Sequence, residues 1–332
     1  MGIRLVQLTS GSGRCVALVD GQRLRVLREF SSVYELAQAA IARGVRLGAL
    51  AEESVSGQSE DYDAVDAGRS PWRLLPAGDH PTEPSRCLVS GTGLTHLASA
   101  SRRDAMHAST AQLTDSMRMY LWGEEGGRPA AGQVGVAPEW FYKGNGTILK
   151  AHNEPLLVPR YGEDGGEEPE IAGVYLIDGN GVPRRLGLTM GNEFSDHKHE
   201  RRNYLYLASS KLRTCSIGPE LVVDAEFGLV AGKVSILRGG EELWQHTIGS
   251  GESRMSHTLA NLEHHHFKYE QHRRPGDVHV HYFGADAFSF GDGLELADGD
   301  VMQVQFEGFG RPLRNPIRID RSPDELVPVL PC

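Results

Sequence analysis

Short apolar runs, interrupted at close intervals by turn residues, are the feature that most restricts the fold of this chain. Residues 171–177, 232–237, 278–283 and 301–306 have the length and composition of β-strands, and turns rich in Gly, Asp and Pro separate them. The 40 glycines and 17 prolines favour such short elements over a helical bundle. Because few helices lie between the strands, a doubly wound parallel sheet is disfavoured. The sequence predicts a mixed α+β, β-rich fold, with a curled mixed sheet approaching a roll or barrel.

The first 80 residues have a different pattern, which predicts a small α+β domain. Short strand-like runs come first, and apolar residues at helical spacing predict a helix over 32–43. A second helix is predicted over 47–53. The polar stretch 57–84, rich in Asp, Pro and Gly, is typical of a connection between domains. We therefore predict a small domain over residues 1–80 and a larger β-rich domain over 85–332, with helices near 197–207 and 256–270.

The charge and cysteine content disfavour several classes of protein. A formal net charge of −10 argues against a nucleic-acid-binding surface, which is normally basic. No run approaches the roughly 20 apolar residues that cross a bilayer, and no secretory signal is visible at the N-terminus. The four cysteines are widely spaced, which favours reduced thiols over disulfides or a zinc site. We expect a cytoplasmic protein that binds neither nucleic acid nor membrane.

Two glutamates directly before the apolar run 171–177 are the most informative candidate site residues. Glu168 and Glu170 are separated by one residue, so in a strand both carboxylates would point to the same face. Two like charges held together are costly unless a hard divalent cation such as Mg²⁺ neutralises them. The alternative is an acidic turn in solvent, since Glu163, Asp164 and Glu167 lie just before.

A third carboxylate is present at a predicted strand-to-helix junction. Asn, Ser and Asp commonly cap helices at such a junction, which would explain Ser195 and Asp196. Capping does not require the neighbouring Glu193. This residue is therefore a candidate third oxygen donor for the same ion.

In their order along the chain, these motifs resemble the fumarylacetoacetate-hydrolase superfamily, whose members carry a Glu-x-Glu pair, an Asn-Asp-x-Ser segment and a lysine before a Gly-Pro turn. The match covers roughly residues 87–319 and looks most like the branch associated with bacterial sugar-acid catabolism. The residues that carry the resemblance are Phe141-Tyr142-Lys143-Gly144, Glu168 and Glu170, Asn192-Glu193-Phe194-Ser195, Lys211 with Gly218-Pro219, Gly284-Ala285-Asp286, Asp298-Gly299-Asp300-Val301 and residues 308–316.

The resemblance implies a set of site residues. Glu168, Glu170 and Glu193 would hold Mg²⁺ or Mn²⁺, Lys211 would add positive charge, and the substrate contacts would include Lys143, Ser195, Gly284 and Asp286. His96 would be the general base, since imidazole titrates near neutral pH. The family's glutamate three residues after this histidine is replaced by Ser99. Asp104, Glu124 and Glu125 are the alternatives for that carboxylate.

The implied reaction begins at the carbon beside the ketone of a small 2-oxo acid bound to the cation. We predict dehydration of a 2-keto-3-deoxy sugar acid, for example a 2-keto-3-deoxypentonate to 2,5-dioxopentanoate. Hydrolysis of the C–C bond of a 2,4-dioxo acid is the nearest alternative, and a non-catalytic sugar-acid-binding protein is a further one. The resemblance also implies a homodimer.

The remaining histidines fit structural roles better than a metal site. Successive residues of a helix point in different directions, so His264, His265 and His266 predict a partly exposed helix or interface. His197 and His199 are interpreted as helix-start residues. His279 and His281 share one strand face, and a substrate role stays open for them. No phosphate loop, dinucleotide motif or serine-hydrolase elbow occurs, so no nucleotide cofactor is predicted.

Overall fold

The computed structural model describes residues 2–98, 100–101 and 114–332. Within these residues the α-helices are α1 (Val33–Arg43), α2 (Leu47–Glu53), α3 (Tyr62–Asp66), α4 (Asp115–Gly126), α5 (His197–Arg202), α6 (Leu207–Ser210) and α7 (Leu259–Phe267). The strands are β1 (Arg4–Ser10), β2 (Gly13–Asp20), β3 (Arg23–Leu27), β4 (Val55–Asp61), β5 (Arg73–Leu74), β6 (Cys87–Gly93), β7 (Glu139–Asn145), β8 (Leu149–Lys150), β9 (Leu156–Val158), β10 (Pro169–Ile177), β11 (Pro183–Asn192), β12 (Cys215–Ile217), β13 (Leu221–Val222), β14 (Val230–Arg238), β15 (Glu241–Ser250), β16 (Val278–Tyr282), β17 (Val301–Phe306) and β18 (Leu313–Ile319).

A large mixed sheet combines the N-terminal strands with later strands as far along the chain as β16. Its main path runs β4-β3-β2-β1-β13-β11-β10-β16-β6-β7, mostly antiparallel, with β16 and β6 parallel. The strands of the first 80 residues enter this sheet through β1, which pairs with β13 at Leu5 and Leu221. They therefore extend the sheet that carries the later strands. The domain boundary at residue 80 stays a prediction.

A second sheet of five strands packs against part of the first. Its order is β15-β14-β17-β18-β9, with β18 and β9 parallel. Buried side chains of the two sheets share one apolar cluster, in which Ile171 and Leu188 of the large sheet meet Val234, Val304 and Phe306 of the second. Burying each such side chain contributes about 1.5–3 kcal/mol. The two mixed sheets confirm the predicted β-rich α+β fold.

Helices α1 and α2 form where the sequence predicts them. Ser32 caps α1 by accepting a hydrogen bond from the backbone N–H of Glu35, and Gly44 ends it in the left-handed conformation at φ 65°. Leu36, on the buried face of α1, packs into the main apolar cluster with Ala172 of β10. Among the described residues, no helix is both long and apolar enough to cross a membrane.

Strand β10 lies at the centre of the large sheet, and all nine of its residues are buried. Ala172 packs on the face that also buries Val280 and Tyr282 of the neighbouring strand β16. Glu170 lies two residues before Ala172 and so shares this face, because side chains alternate along a strand. His279 and His281 of β16 consequently point to the opposite face. This placement is against a substrate role for these two histidines.

Four buried histidines pack together on that opposite face: His266, His272, His279 and His281. Trp140 Nε1 donates to His266 Nδ1 over 3.2 Å, which leaves His266 Nε2–H to donate to His279 Nδ1 over 2.9 Å. The expectation of a partly exposed histidine tract is therefore wrong for His265 and His266, which are 8% and 0% exposed. Residues distant in sequence cover this side of α7.

The buried histidines make the fold sensitive to acid. Burial, with neighbouring histidines adding to it, lowers the pKa of His279 and of His281 to about 3. The unfolded chain, with pKa values near 6.5, binds more protons between about pH 3 and 6.5, so stability falls as the pH falls through this window. Each such histidine contributes a slope of about 1.4 kcal/mol per pH unit. Urea unfolding between pH 5 and 8 measures it.

His281→Gln provides the matched test of this acid sensitivity. In this variant the free energy of unfolding should change less steeply with pH, by about 1.4 kcal/mol per pH unit, because glutamine does not titrate. His246→Gln, at an exposed position on β15, is the control and should keep the wild-type slope. Identical pH dependence in H281Q and wild type would contradict the assignment.

Candidate metal centre

Three glutamates converge at one end of β10 and β11. Glu168, Glu170 and Glu193 each offer an oxygen within 4.8 Å of the others, and all three are buried. The antiparallel pairing brings them together: Pro169 faces Asn192, Glu170 faces Gly191, and Glu193 N–H donates to Glu168 O over 2.9 Å. The strand register therefore places the third carboxylate directly beside the pair. We call these three residues the triad.

The segment after β11 is shaped by Asn192. Its side-chain oxygen accepts hydrogen bonds from the backbone N–H of Glu168 and of Phe194, both at 3.2 Å. Phe194 adopts φ 35°, so the chain turns sharply as it leaves the strand. Ser195 then folds back, and its hydroxyl lies 3.2 Å from both carboxylate oxygens of Glu193. The turn at Phe194 thus places the Ser195 hydroxyl against the Glu193 carboxylate.

Two buried lysines face the triad. Lys211 Nζ lies 2.8 and 2.9 Å from the two oxygens of Glu168 and 2.6 Å from Glu193 Oε2. Lys143 Nζ also donates to Glu193, and to the backbone oxygens of Phe194 and Lys211 at 3.0 and 2.9 Å. With all groups ionised, three carboxylates and two ammonium groups leave one net negative charge among these buried side chains.

The electrostatics of the triad fit a cation. Burial, then repulsion from Glu193 and Glu168, raises the pKa of Glu170 well above its usual value. Burial and Glu168 raise the pKa of Glu193 to about 7. Burial also opposes ionisation of Glu168, but Lys211 and His197 hold the pKa of that carboxyl well below its usual value. Hard oxygen donors with excess negative charge are what divalent cations select, so the triad can hold a divalent metal ion.

Metal binding at this triad is expected to depend on pH. A cation must displace the protons that Glu170 and, below about pH 7, Glu193 carry in its absence. Affinity for Mg²⁺ should therefore rise by at least about tenfold between pH 6 and 8, with release of a proton or more. Calorimetric titrations in two buffers of different ionisation enthalpy measure both quantities. Affinity that is constant across this range would contradict the raised pKa values.

Gly284 connects the triad to the segment that carries His96. Its backbone N–H donates to Glu170 Oε2 over 2.6 Å, and its φ is 102°. A Cβ at this position would lie 2.0 Å from Thr95 Oγ1, so glycine lets the Thr95–His96 segment pass close to the triad. The structure thus assigns Gly284 a contact with Glu170, while its predicted contact with substrate stays a prediction.

His96 is buried next to this junction. Thr95 Oγ1 lies 3.0 Å from its Nδ1. Burial lowers the pKa of His96 to about 4, with Asp286 raising and Arg254 lowering it. Asp286 itself accepts a hydrogen bond from Gly249 N–H at 2.9 Å. His96 is therefore neutral at pH 7 and able to accept a proton, and its role as base and that of Asp286 in substrate binding stay predictions.

The carboxylate partner of His96 stays a prediction. Glu124 and Glu125 are exposed on α4, whereas His96 is buried. Asp104 and Ser99 lie outside the described residues. Sequence reasoning overlooked the buried Glu139 at the start of β7.

Glu139 shares a strand face with two residues of the site. Glu139, Phe141 and Lys143 are the buried positions of the alternating strand β7. The Phe141 ring lies 4.8 Å from Lys211 Nζ, and Lys143 contacts Glu193, so this face of β7 is directed at the triad. Tyr204 donates to Glu139 over 2.9 Å. The period-two spacing of these three residues was the signal that could have revealed the carboxylate.

Comparisons with known proteins agree with this fold. No protein-family model matches the chain, and no curated protein matches it in sequence. Its structure is similar to that of 2-keto-3-deoxyarabinonate dehydratase, with a TM-score of 0.71 and 20% identity over 96% of this chain and 100% of that one. A second structure of the dehydratase, complexed with magnesium and 2,5-dioxopentanoate, gives a TM-score of 0.69 at the same identity and coverage.

More distant likenesses belong to other enzymes. A 5-carboxymethyl-2-hydroxymuconate delta-isomerase from Mycobacterium smegmatis matches with a TM-score of 0.58 and 18% identity, over 96% of this chain and 99% of that one. These likenesses confirm the fumarylacetoacetate-hydrolase-like fold that the resemblance in sequence predicts.

Proposed function

We propose that this chain is a metal-dependent lyase that dehydrates a 2-keto-3-deoxy sugar acid. The observation that carries the proposal is the buried triad with two lysines, in the fold of an enzyme whose structure is known with magnesium and 2,5-dioxopentanoate. A divalent ion would be held by Glu168, Glu170 and Glu193. When bound, it supplies Lewis-acid polarisation of a 2-oxo group.

Charge balance supports an anionic substrate. The triad and the two lysines sum to one negative charge, so a divalent cation would change the site to one positive charge. A 2-oxo acid with one carboxylate would restore neutrality in surroundings where uncompensated charge is costly. Lys211 faces the triad and would stabilise the negative charge that develops as the substrate loses a proton.

The dehydration requires one proton to leave C3 and one hydroxyl to leave C4. His96, neutral at pH 7, would accept the C3 proton, and the electron pair of the broken C3–H bond would form the new C3–C4 double bond. The C4–O bond breaks, and the hydroxyl leaves as water after taking up a proton. The resulting 3-ene becomes 2,5-dioxopentanoate when a proton leaves C5 and one returns to C3, which gives a C4–C5 enol. This enol then loses its hydroxyl proton while C4 gains one, so that C5 becomes the aldehyde. Glu139 offers a second buried carboxyl on the triad side of β7 for proton transfer.

Turnover of defined acids tests the proposal. The protein with Mg²⁺ is incubated with 2-keto-3-deoxypentonates of each configuration, and 2,5-dioxopentanoate is followed by NMR. Formation of this product, and its loss when a chelator removes the ion, is the expected result. Cleavage of acylpyruvates with no action on deoxy acids would replace the lyase by the C–C hydrolase.

Binding without turnover would contradict an enzymatic role. Mg²⁺-dependent binding of pyruvate or oxalate, with no turnover of any 2-oxo acid, would identify the non-catalytic binding protein.

The homodimer and the cytoplasmic location stay predictions. Light scattering at defined concentrations measures the oligomeric state.

A further inference from the structure

A buried carboxylate beside the triad ties a distant loop to the start of β10. Glu167 is fully buried, and its two oxygens accept hydrogen bonds from Ser289 N–H at 2.6 Å and Ser289 Oγ at 2.8 Å. Ser289 lies between Phe288 and Phe290 in sequence. The two bonds therefore hold Phe288 and Phe290 close to Glu167, which directly precedes Glu168.

Those two aromatic rings enclose a histidine. His197 begins α5 after the capping residue Asp196, as expected of a helix-start residue, but it is also 97% buried. Its ring stacks on Phe288 at 4.6 Å and 11° and on Phe290 at 5.1 Å and 29°. Stacking on two aromatic rings therefore restricts rotation of the imidazole about its side-chain torsions.

The edge of this ring meets the triad. His197 Nε2 lies 2.9 Å from Glu168 Oε1, and because an ionised carboxylate only accepts, Nε2 carries the hydrogen and donates. On the opposite edge, a Cβ at Gly166 would lie 2.4 Å from His197 Nδ1, so only glycine fits there. Gly166 is fixed by two 3.0 Å backbone bonds to Ser195.

The geometry points to His197 as a positioning residue that fixes the orientation of the Glu168 carboxylate for cation binding. This inference rests on the proposed function. Lys211 contacts both oxygens of Glu168 and so does not distinguish them, whereas His197 contacts Oε1 and so selects one oxygen. The Glu167–Ser289 bonds, the two phenylalanines and Gly166 hold the ring in that position. Partners behind a metal ligand commonly set its orientation and affinity in this way.

Two substitutions of His197 separate hydrogen bonding from packing. His197→Phe keeps a flat ring between Phe288 and Phe290 but removes the donor, whereas His197→Gln keeps an N–H donor near the position of Nε2. We expect H197F to lower the affinity for Mg²⁺ by about 10- to 100-fold and H197Q to retain most of it. Calorimetry measures Mg²⁺ affinity, and the Mn²⁺ electron paramagnetic resonance spectrum reports the ligand arrangement without turnover.

A more remote variant keeps the test valid if H197F does not fold. Ser289→Ala leaves His197 in place and removes only the hydroxyl bond to Glu167, so a smaller loss of Mg²⁺ affinity is expected, about three- to tenfold. Thermal unfolding without metal checks that each variant is folded. Ser59→Ala, at a serine of β4 in the N-terminal edge of the sheet, is the matched control and should bind Mg²⁺ as wild type does.

The outcomes separate this inference from the proposed function. Weak binding by H197F with near-normal binding by H197Q supports the positioning role. Wild-type affinity in folded H197F, or equal losses in H197F and H197Q, overturns it while the metal-dependent function stands. If the wild-type protein binds neither Mg²⁺ nor Mn²⁺, the proposed function itself fails.

Discussion

Glu170→Gln is expected to remove Mg²⁺ binding and turnover together while leaving the metal-free protein folded. The glutamine keeps the shape of the side chain and can still accept the hydrogen bond from Gly284 N–H, but it cannot supply a negative oxygen ligand. Lewis-acid polarisation is worth several kcal/mol, so turnover should fall by about three orders of magnitude and Mg²⁺ affinity by about 100-fold or more. Calorimetry and product formation at saturating Mg²⁺ measure the two losses.

The stability of this variant distinguishes a ligand from a structural residue. Burial and repulsion from Glu193 and Glu168 raise the pKa of Glu170, which favours the neutral form in the metal-free protein, and glutamine resembles that neutral form. The free energy of unfolding without metal should therefore change by less than about 1 kcal/mol.

A second buried glutamate provides the control for E170Q. Glu220 is fully buried and accepts hydrogen bonds from Arg4 and Tyr62; it directly precedes β13, which pairs with β11 on the side away from β10. Glu220→Gln should lower stability, since it removes a charge that pairs with Arg4, and should leave Mg²⁺ affinity unchanged. Normal Mg²⁺ affinity in E170Q would mean that the three carboxylates are not the metal ligands.

The part of the site that local pattern determines was predictable from the sequence. The pair Glu168 and Glu170 lies at the start of a strand whose apolar run is visible in the sequence, and the period of two gives their common side. Helix α2 has the predicted bounds, and α1 begins and ends close to its predicted bounds because Ser32 and Gly44 cap it locally. Glu193 was a candidate because helix capping does not account for it, and the resemblance implied its role as third ligand. The register of β10 with β11 gives that role a physical reason.

The remaining features depend on contacts between residues far apart in the chain. Lys143 reaches Glu193 across 50 positions, and His197 is enclosed by residues about 90 positions later. The burial of His266 likewise depends on strand β16 and on Trp140. No periodicity within a short window reports such contacts, so the sequence indicated which residues could do chemistry but not which would meet.

Charge compensation explains why lysines and glutamates are buried together here. An isolated charge in the interior costs several kcal/mol, and the triad alone would place three like charges within one site. Lys143 and Lys211 compensate two of them, so the metal-free protein can fold with the site assembled. An incoming divalent cation would displace the proton whose binding the raised pKa of Glu170 favours in the metal-free site.

Lys211→Met tests this compensation directly. We expect it to lower the stability of the protein more than any other single substitution at the site. Methionine preserves much of the length and volume of the side chain but removes the ammonium that contacts Glu168 and Glu193. Breaking a buried ion pair by removing one partner costs about 3–5 kcal/mol, because the other charges stay buried. Urea unfolding without metal should show a loss of this size.

Mg²⁺ should restore part of the stability that K211M loses, since the cation supplies positive charge to the same carboxylates. The stabilisation that saturating Mg²⁺ confers should therefore be greater in K211M than in wild type. Turnover should nevertheless fall by about 10²- to 10³-fold, because the ammonium that would face the developing negative charge is absent. Lys233→Met, which removes an exposed ion pair with Glu242 on the second sheet, is the control and should change neither property appreciably. If K211M without metal is as stable as wild type, the triad does not carry the buried charge on which this account of the site depends.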